Sequence, residues 1–378
     1  MDFDLTQEQE QVWKLAREFC DAEVAPGARD RDRSEHTPPE LLAKLFEVGF
    51  MGATIPQQYG GMGLDALSYG LIVEELGRTD ASLRSIVGVN VGLVGLTILR
   101  FGTREQREEW LPRLCGEGLG AFGLTEPDAG SDPSSMRTGA SRDGGDWILN
   151  GAKMWISNGS TGLLTLVFAR ADEGVTAFLV PQDAPGYDAN PIHGKLGLRA
   201  ADTAEVVLRD VRVPDRHRVG DVGQGLKIAL TALDSGRYSL AAGCTGISQA
   251  CLDAAVRYAD ERIQFGRKIS SFQLIQELIS DIYLDLEASR ALAWKVAWKE
   301  QRGERHTIES SVAKTFCSEA AVRNADRAVQ VHGGYGYVDE YPVSRYLRDA
   351  RVTTLYEGTS QIQRLLLGKH LTGVSAFA

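Results

Sequence analysis

The feature that most restricts the fold is a hydrophobic period that changes twice along the chain. Up to about residue 118, apolar residues recur at helical spacing, as at Leu41, Leu42, Leu45 and Phe46. A glycine-rich stretch, IPQQYGGMGLD at 55–65, interrupts them before the periodic segment 66–77. From 119 to 222 the texture is that of short strands, at 147–149, 163–168, 176–180 and 204–208. Turn signals separate them: Asp143-Gly144-Gly145, Asn158-Gly159 and Pro185-Gly186. Helical spacing returns at Gly223, with Ile275, Ile279, Ile282 and Leu286 on one stripe. Long helices with short links predict a bundle. The expectation is an α+β chain with a helical N-terminal domain (1–118), a central antiparallel β-domain (119–222) and a C-terminal helical bundle (223–378). A length of 378 residues, too great for one core, agrees.

Composition removes several classes of function. No stretch approaches the roughly 18 uninterrupted apolar residues of a membrane span. The opening MDFDLTQEQE lacks the basic-then-apolar plan of a secretory signal. A cytoplasmic protein without membrane contact is expected. A formal net charge of −10 argues against a general nucleic-acid binder, although one local basic groove stays open. The cysteines (Cys20, Cys115, Cys244, Cys251, Cys317) form no CxxC pair and have no histidine at ligand spacing. They are expected to be buried free thiols, with no metal site.

Five short segments carry chemistry. Phe122-Gly-Leu-Thr-Glu-Pro-Asp-Ala-Gly-Ser-Asp132 offers small residues, free amides and the hydroxyls of Thr125 and Ser131, which suit phosphate oxygens or a polar heterocycle edge. A decorated loop at a strand start is the plainer reading. In Lys153-Met-Trp-Ile-Ser-Asn158, Trp155 and Ser157 lie two apart, on one face of a strand, and can hold a planar group by stacking and a hydrogen bond. Trp155 as core filler is the alternative. Arg262-Ile-Gln-Phe-Gly-Arg267 reads as an extended linker or a binding segment. The glycines of Gln330-Val-His-Gly-Gly-Tyr-Gly336, followed by Arg345 and Asp349, break a helical region and mark a turn or a close approach to a ligand. Leu355-Tyr-Glu-Gly-Thr-Ser-Gln-Ile-Gln-Arg364 opens the last helix, with Ser360 and Gln363 at capping-box spacing. Glu357 is then either a solvated acid at the helix entrance or a base aimed by the turn. No nucleophile elbow, phosphate loop, zinc motif or Rossmann fingerprint is present.

Together and in this order, these segments resemble those of the acyl-CoA dehydrogenases over essentially the whole chain. The resemblance implies a helical domain, a β-domain and a C-terminal four-helix bundle, assembled as a homotetramer, with FAD as cofactor and an electron-transferring flavoprotein as acceptor. It assigns Phe122, Leu124, Thr125, Ser131, Trp155 and Ser157 to the flavin. Arg262, Phe265, Gln273 and Gln330 to Gly334 (with Gly333) would contact FAD across a subunit interface, and Thr359 and Gln361 would add further contacts. The acyl thioester would run past Ser131 to Asp234, Arg237, Tyr356 and Gly358, with Glu357 as catalytic base. Relatives that carry the base on another helix have an acid there; Tyr238 to Gly246 contains none. The implied reaction removes the α-proton to Glu357 and passes hydride from the β-carbon to flavin N5. Desolvation by bound thioester is expected to raise the carboxyl's pKa, against the opposing pull of the nearby helix N-terminus.

The Leu-Asp-Ser-Gly-Arg237 segment resembles short-chain members, whereas Arg84-Ser85 and Gly130-Ser-Asp-Pro-Ser-Ser-Met136 resemble the glutaryl-CoA branch. Arg84 would then meet a polar or carboxylate acyl end; a structural ion pair is the alternative. Dehydrogenation of a short or polar acyl-CoA is therefore expected, with decarboxylation less favoured. An acyl or aminoacyl group on a carrier protein is the alternative substrate. A flavin-containing nucleic-acid binder is a more distant reading, disfavoured by the acidic balance.

Overall fold

A computed structural model describes residues 3–377. The N-terminal unit holds α1 (Gln7–Phe19), α2 (Ala28–Ser34), α3 (Pro39–Glu47), α4 (Ala66–Thr79), α5 (Ala81–Val87), α6 (Leu96–Phe101) and α7 (Arg104–Gly116). α1 and α7 start on capping boxes, Thr6 with Gln9 and Thr103 with Gln106. The link Gly88–Gly95 is π-wound, so 81–101 forms one helical run of 21 residues. That run is long and apolar enough to cross a membrane, contrary to the sequence expectation, which counted only uninterrupted apolar residues. Its apolar side chains are buried inside the protein instead: Val87, Val91, Val94 and Ile98 have no exposed surface. Asn90, which breaks the run, bonds Met51 O, Leu114 O and the Gly120 amide, joining this helix to the next unit.

The central unit is one sheet of β1 (Gly120–Gly123), β2 (Gly139–Asp143), β3 (Asp146–Ser157), β4 (Leu164–Ala171), β5 (Gly174–Pro181), β6 (Tyr187–Pro191), β7 (Thr203–Pro214) and β8 (Arg218–Val219). The order is β6-β7-β3-β2-β4-β5-β8, with β1 beside β4. Most seams are antiparallel, as expected, but β1 runs parallel to β4 and β2 meets β4 in parallel at Gly139 and Arg170. The chain between β1 and β4 carries a long loop and the β2–β3 hairpin, enough for the crossover that parallel pairing needs. Strands β1, β2, β6 and β8 escaped the sequence reading because two to five residues are too few to show a period.

The C-terminal unit contains α8 (Gly225–Glu261), α9 (Gln273–Gln301), α10 (Thr307–His332), α11 (Val343–Thr353) and α12 (Ser360–Thr372). Between α8 and α9, Ile263–Gln264 and Arg267–Lys268 form a two-stranded hairpin, not an extended linker. Phe265 (φ 53°) and Gly266 (φ 77°) make its turn, since both central residues of such a tight hairpin need positive φ. All five cysteines are free and buried.

α4 crosses α8 at backbone contact. A Cβ on Gly77 would drive into Gly243 O, and one on Gly246 into Glu74 O. Charged ties reinforce the joint: Arg290 Nη2 bonds Glu74 at 2.8 Å. Arg345 donates to Thr79 O at 3.0 Å, and Asp349 accepts from the Leu198 amide at 2.7 Å. Burial pushes Asp349 up to about 6 while Arg345 pulls it back. Helix α11 is thus stitched to the end of α4 and to a loop of the central unit.

Candidate functional site

The turn between α11 and α12 is held in a costly shape. Glu357 (φ 56°) and Gly358 (φ 87°) are consecutive residues in the left-handed region. A non-glycine residue there costs of order 1–3 kcal/mol and persists only where its surroundings enforce it. Here Arg237 Nε donates to Glu357 O at 3.3 Å, and Gln363 Nε2 reaches both Glu357 O (3.1 Å) and Gly358 O (3.3 Å). Lys314 Nζ donates to Gly358 O at 2.8 Å. The carbonyls are therefore anchored, whereas the Glu357 N–H makes no hydrogen bond among the described residues. The expected Ser360–Gln363 capping box does not form. Thr359 is the cap, accepting from Ile362 N at 3.2 Å, so the helix starts one residue earlier and its third position falls on Ile362, not on Gln363. Ser360 Oγ is buried without a partner.

The Glu357 carboxylate points inward, and its Oε2 is enclosed without a hydrogen-bond partner. On α8 it faces Gly236, where a Cβ would stand 2.6 Å from that oxygen. Glycine is what leaves room for it. The position that meets the carboxylate thus lies just outside the 238–246 stretch inspected in the sequence, and it too carries no acid. Burial pushes the Glu357 carboxyl up to about 7, opposed by Arg84, Arg237 and Lys314 in that order. The protein alone supplies the rise that the sequence reading assigned to bound substrate. Side-chain cations supply the opposing pull.

Arg237 pairs with Asp234 at 3.0 Å, and Asp234 also accepts from Thr307 at 2.6 Å. Arg84 is only 4% exposed and donates to the Tyr356 hydroxyl. No carboxylate lies within ion-pair distance of it among the described residues, so the structural ion-pair reading fails. Its aliphatic stem fits because Gly243 lacks a side chain; a Cβ there would come 2.5 Å from Arg84 Cδ. Ser85 is buried next to it. Asp234, Arg237, Arg84, Tyr356 and Gly358 therefore meet around Glu357.

A second group lies on the β-domain. Phe122 packs on Phe168 with ring centres 5.0 Å apart, beside Leu124 and Thr125. Trp155 has φ 63° and falls in a register break between Lys153 and Ile156. The bulge corrects the expectation that Trp155 and Ser157 share a regular strand face. It also leaves the indole 60% exposed, which rules out core filler. Behind it, Met154 N donates to Thr125 O at 2.8 Å, and buried Lys153 bonds Glu126 at 2.7 Å. Glu126 also accepts from the Arg137 and Thr138 amides. Burial pulls Lys153 down to about 8, and Glu126 opposes it.

A third group, Arg262, Gln330, Gly333 and Gly334, lines a cavity of about 850 Å³ with Arg29 and Arg33. A Cβ at Gly333 or Gly334 would meet nothing within 4 Å, so access, and φ 59° at Gly333, is what glycine provides. Phe265 is 92% exposed, and Gln273, Gln361 and Ser131 are exposed too. None of these four is hydrogen-bonded to the Glu357 group among the described residues. An exposed indole at a fixed bulge, beside a loop of small polar residues, suits a flat heterocycle. In the cavity Arg29 and Arg33 are paired with Asp339, which leaves Arg262, Gln330 and the open glycines to meet a polar ligand. The exposed Trp155 and the polar loop beside it have the chemistry that a flavin ring needs.

Lys314, Gly236, Gly243 and the Glu126–Lys153 pair were not singled out in the sequence. Lys314 had a signal: it shares a helical stripe with Ser310, Ala313, Cys317 and Ala321, a charge on a small-residue face.

Family models match the chain in three consecutive segments: the acyl-CoA dehydrogenase N-terminal domain over 6–117, the middle domain over 121–211 and the C-terminal domain over 223–372. The probable acyl-CoA dehydrogenase YngJ of Bacillus subtilis (strain 168) is 42% identical over 378 residues, spanning 98% of this chain and 100% of that one. Butyryl-CoA dehydrogenase from Megasphaera elsdenii superposes with a TM-score of 0.96 at 40% identity, over 98% of this chain and 100% of that one. A glutaryl-CoA dehydrogenase from Mycobacterium smegmatis, in complex with FADH2, gives 0.96 at 37% identity, over 99% and 97%.

Proposed function

The chain belongs to the acyl-CoA dehydrogenase family of FAD-dependent oxidoreductases, and from that premise we propose that Glu357 is its base and that its acyl group is short with a polar or anionic end. The observation that carries the reading is the Glu357 carboxylate: enclosed, unpartnered and held near neutrality. A general base works best when its pKa lies near the operating pH and its oxygen is free to take a proton.

FAD, when bound, supplies the acceptor for the hydride that leaves the β-carbon. Glu357 Oε2 takes the α-proton, and the C–H electron pair forms the double bond of a trans-2-enoyl thioester. Negative charge builds on the thioester oxygen, where the unpaired Glu357 N–H can donate. A preorganised donor of this kind is worth roughly 2.7–4 kcal/mol by analogy with oxyanion holes. Phe122, Leu124, Thr125, Ser131, Trp155 and Ser157 would hold the flavin, with Thr359 and Gln361 nearby. Arg262, Gln330, Gly333 and Gly334, with Phe265 and Gln273, would take the adenylate end of a neighbouring copy's FAD. We infer a homotetramer reoxidised by an electron-transferring flavoprotein. The exposed apolar residues Phe265, Leu274 and Leu284 support contact between copies.

Arg84 supports the polar acyl end, because a buried guanidinium without a carboxylate is costly unless a ligand completes it. The test is anaerobic flavin bleaching with butyryl, ω-carboxyacyl and ω-hydroxyacyl groups, each offered on CoA and on a carrier protein. Measured on the high-pH plateau, where Glu357 is ionised in both proteins, Arg84→Met should slow the polar-ended thioesters tenfold or more, as expected for loss of a charged hydrogen bond of about 1.5–3 kcal/mol, and spare butyryl. An equal loss on all three would assign Arg84 to structure. Carbon dioxide released from the ω-carboxy substrate would add decarboxylation.

A further inference from the structure

Lys314 sits in the middle of the buried face of α10 with no exposed surface. Its hydrogen bond goes to Gly358 O, at 2.8 Å, and no carboxylate lies within ion-pair distance of it among the described residues. A buried ammonium without a counter-ion costs several kcal/mol. Satisfying one carbonyl does not require that expense, since the neutral amide of Gln363 already donates to the same oxygen. The charge, more than the hydrogen bond, needs a reason.

The groups that face Glu357 supply one. Arg84 approaches from α5, Arg237 from α8 and Lys314 from α10, with Tyr69 of α4, Cys244 of α8 and the adjoining Tyr356 completing the shell. Arg237 is shared with Asp234, and Arg84 is engaged by the Tyr356 hydroxyl. Among the described residues Lys314 is neither paired with an acid nor engaged by a side chain. Burial pulls its ammonium down to about 8, and Glu357 is the largest influence holding it up. It is therefore charged at neutral pH, where the base must be ionised.

Resting on the assignment of Glu357 as base, we propose that Lys314 is a positioning residue for it: its ammonium anchors the Gly358 carbonyl, fixing the left-handed turn, and its charge favours the ionised carboxylate inside an otherwise desolvating pocket. Two substitutions separate these effects. Lys314→Gln keeps a donor for Gly358 O but no charge; Lys314→Arg keeps the charge.

The experiment is the pH dependence of single-turnover flavin bleaching by butyryl-CoA. A parallel infrared titration of the Glu357 carboxyl band, identified by its loss in Glu357→Gln, needs neither flavin nor turnover. Lys314→Gln should move both the acid limb and the band titration up by about one pH unit, the low end for removal of a nearby charge. Bleaching well below the limb would then be about tenfold slower, with the high-pH plateau less affected. Lys314→Arg should leave both near the wild-type position. A limb and band that stay in place in Lys314→Gln, or move equally in both variants, overturn the proposal. Bleaching that persists in Glu357→Gln overturns the base assignment instead, a distinct result.

Discussion

Glu357 is ionised at a cost that the fold imposes on one side chain. Its carboxyl rises from 4.5 to about 7, so the folded chain keeps a proton that the unfolded chain gives up. Stability contributed by the neutral form is therefore present at acid pH and lost as pH climbs from about 4.5 to about 7. The loss is about 3 kcal/mol, at 1.36 kcal/mol per pKa unit. In the apoprotein, Glu357→Gln should raise Tm above wild type at pH 8 and change it little at pH 4.5. A gain independent of pH would show that this carboxyl is not held neutral by burial. In the holoenzyme the same variant should keep its flavin and resist bleaching by substrate; retained turnover would move the base elsewhere. The acid was legible in the sequence because a glycine follows it and a helix begins after that. Gly236, which makes space for the carboxylate, was not. Nothing local marks a glycine inside α8 as the partner of a residue 121 positions away.

At the scale of elements, the proposed cofactor platform depends on an irregular strand. The bulge at Trp155 turns an indole out of β3, and the Glu126–Lys153 pair ties that strand to the loop after β1. Trp155→Ala should lower flavin occupancy after dialysis while leaving the apoprotein's Tm within a degree or two, since an exposed ring contributes little to folding. Unchanged occupancy would remove Trp155 from the cofactor site. Lys153→Met should do more damage, because it strands the Glu126 carboxylate beneath the platform. A loss of about 3–5 kcal/mol is typical of breaking a buried pair, and chemical denaturation measures it. A loss under 1 kcal/mol would mean that Glu126 finds solvent. The apolar run at 147–149 announced a strand, but a bulge is set by the register of β7 against β3, which no single segment encodes.

For the whole molecule, the cleft around Glu357 exists because α4, α5, α8 and α10 approach closely, through Gly77, Gly243 and Gly246 at the α4–α8 crossing. Exposed apolar side chains stand at Phe265 and on α9, where Leu274 is 74% and Leu284 66% exposed. Leu284→Asp should shift the native mass by light scattering from the proposed tetramer to smaller species, and lower flavin occupancy with it. A wild-type monomer that binds FAD stoichiometrically would refute the shared-cofactor arrangement.

Periodicity alone determined the α–β–α order, because burying one face of a helix or strand leaves a repeat of 3.6 or 2 in the chain itself. The motifs likewise singled out the acid, the exposed tryptophan and the glycine turns as candidates, since each needs particular residue types at short spacing. Only the tertiary structure decided which groups face one another. Arg84 without a counter-ion, Gly236 against the carboxylate and Lys314 beneath the turn are all long-range meetings. Their energies come from desolvation and Coulomb interaction in the folded interior, and neither exists until the helices have packed.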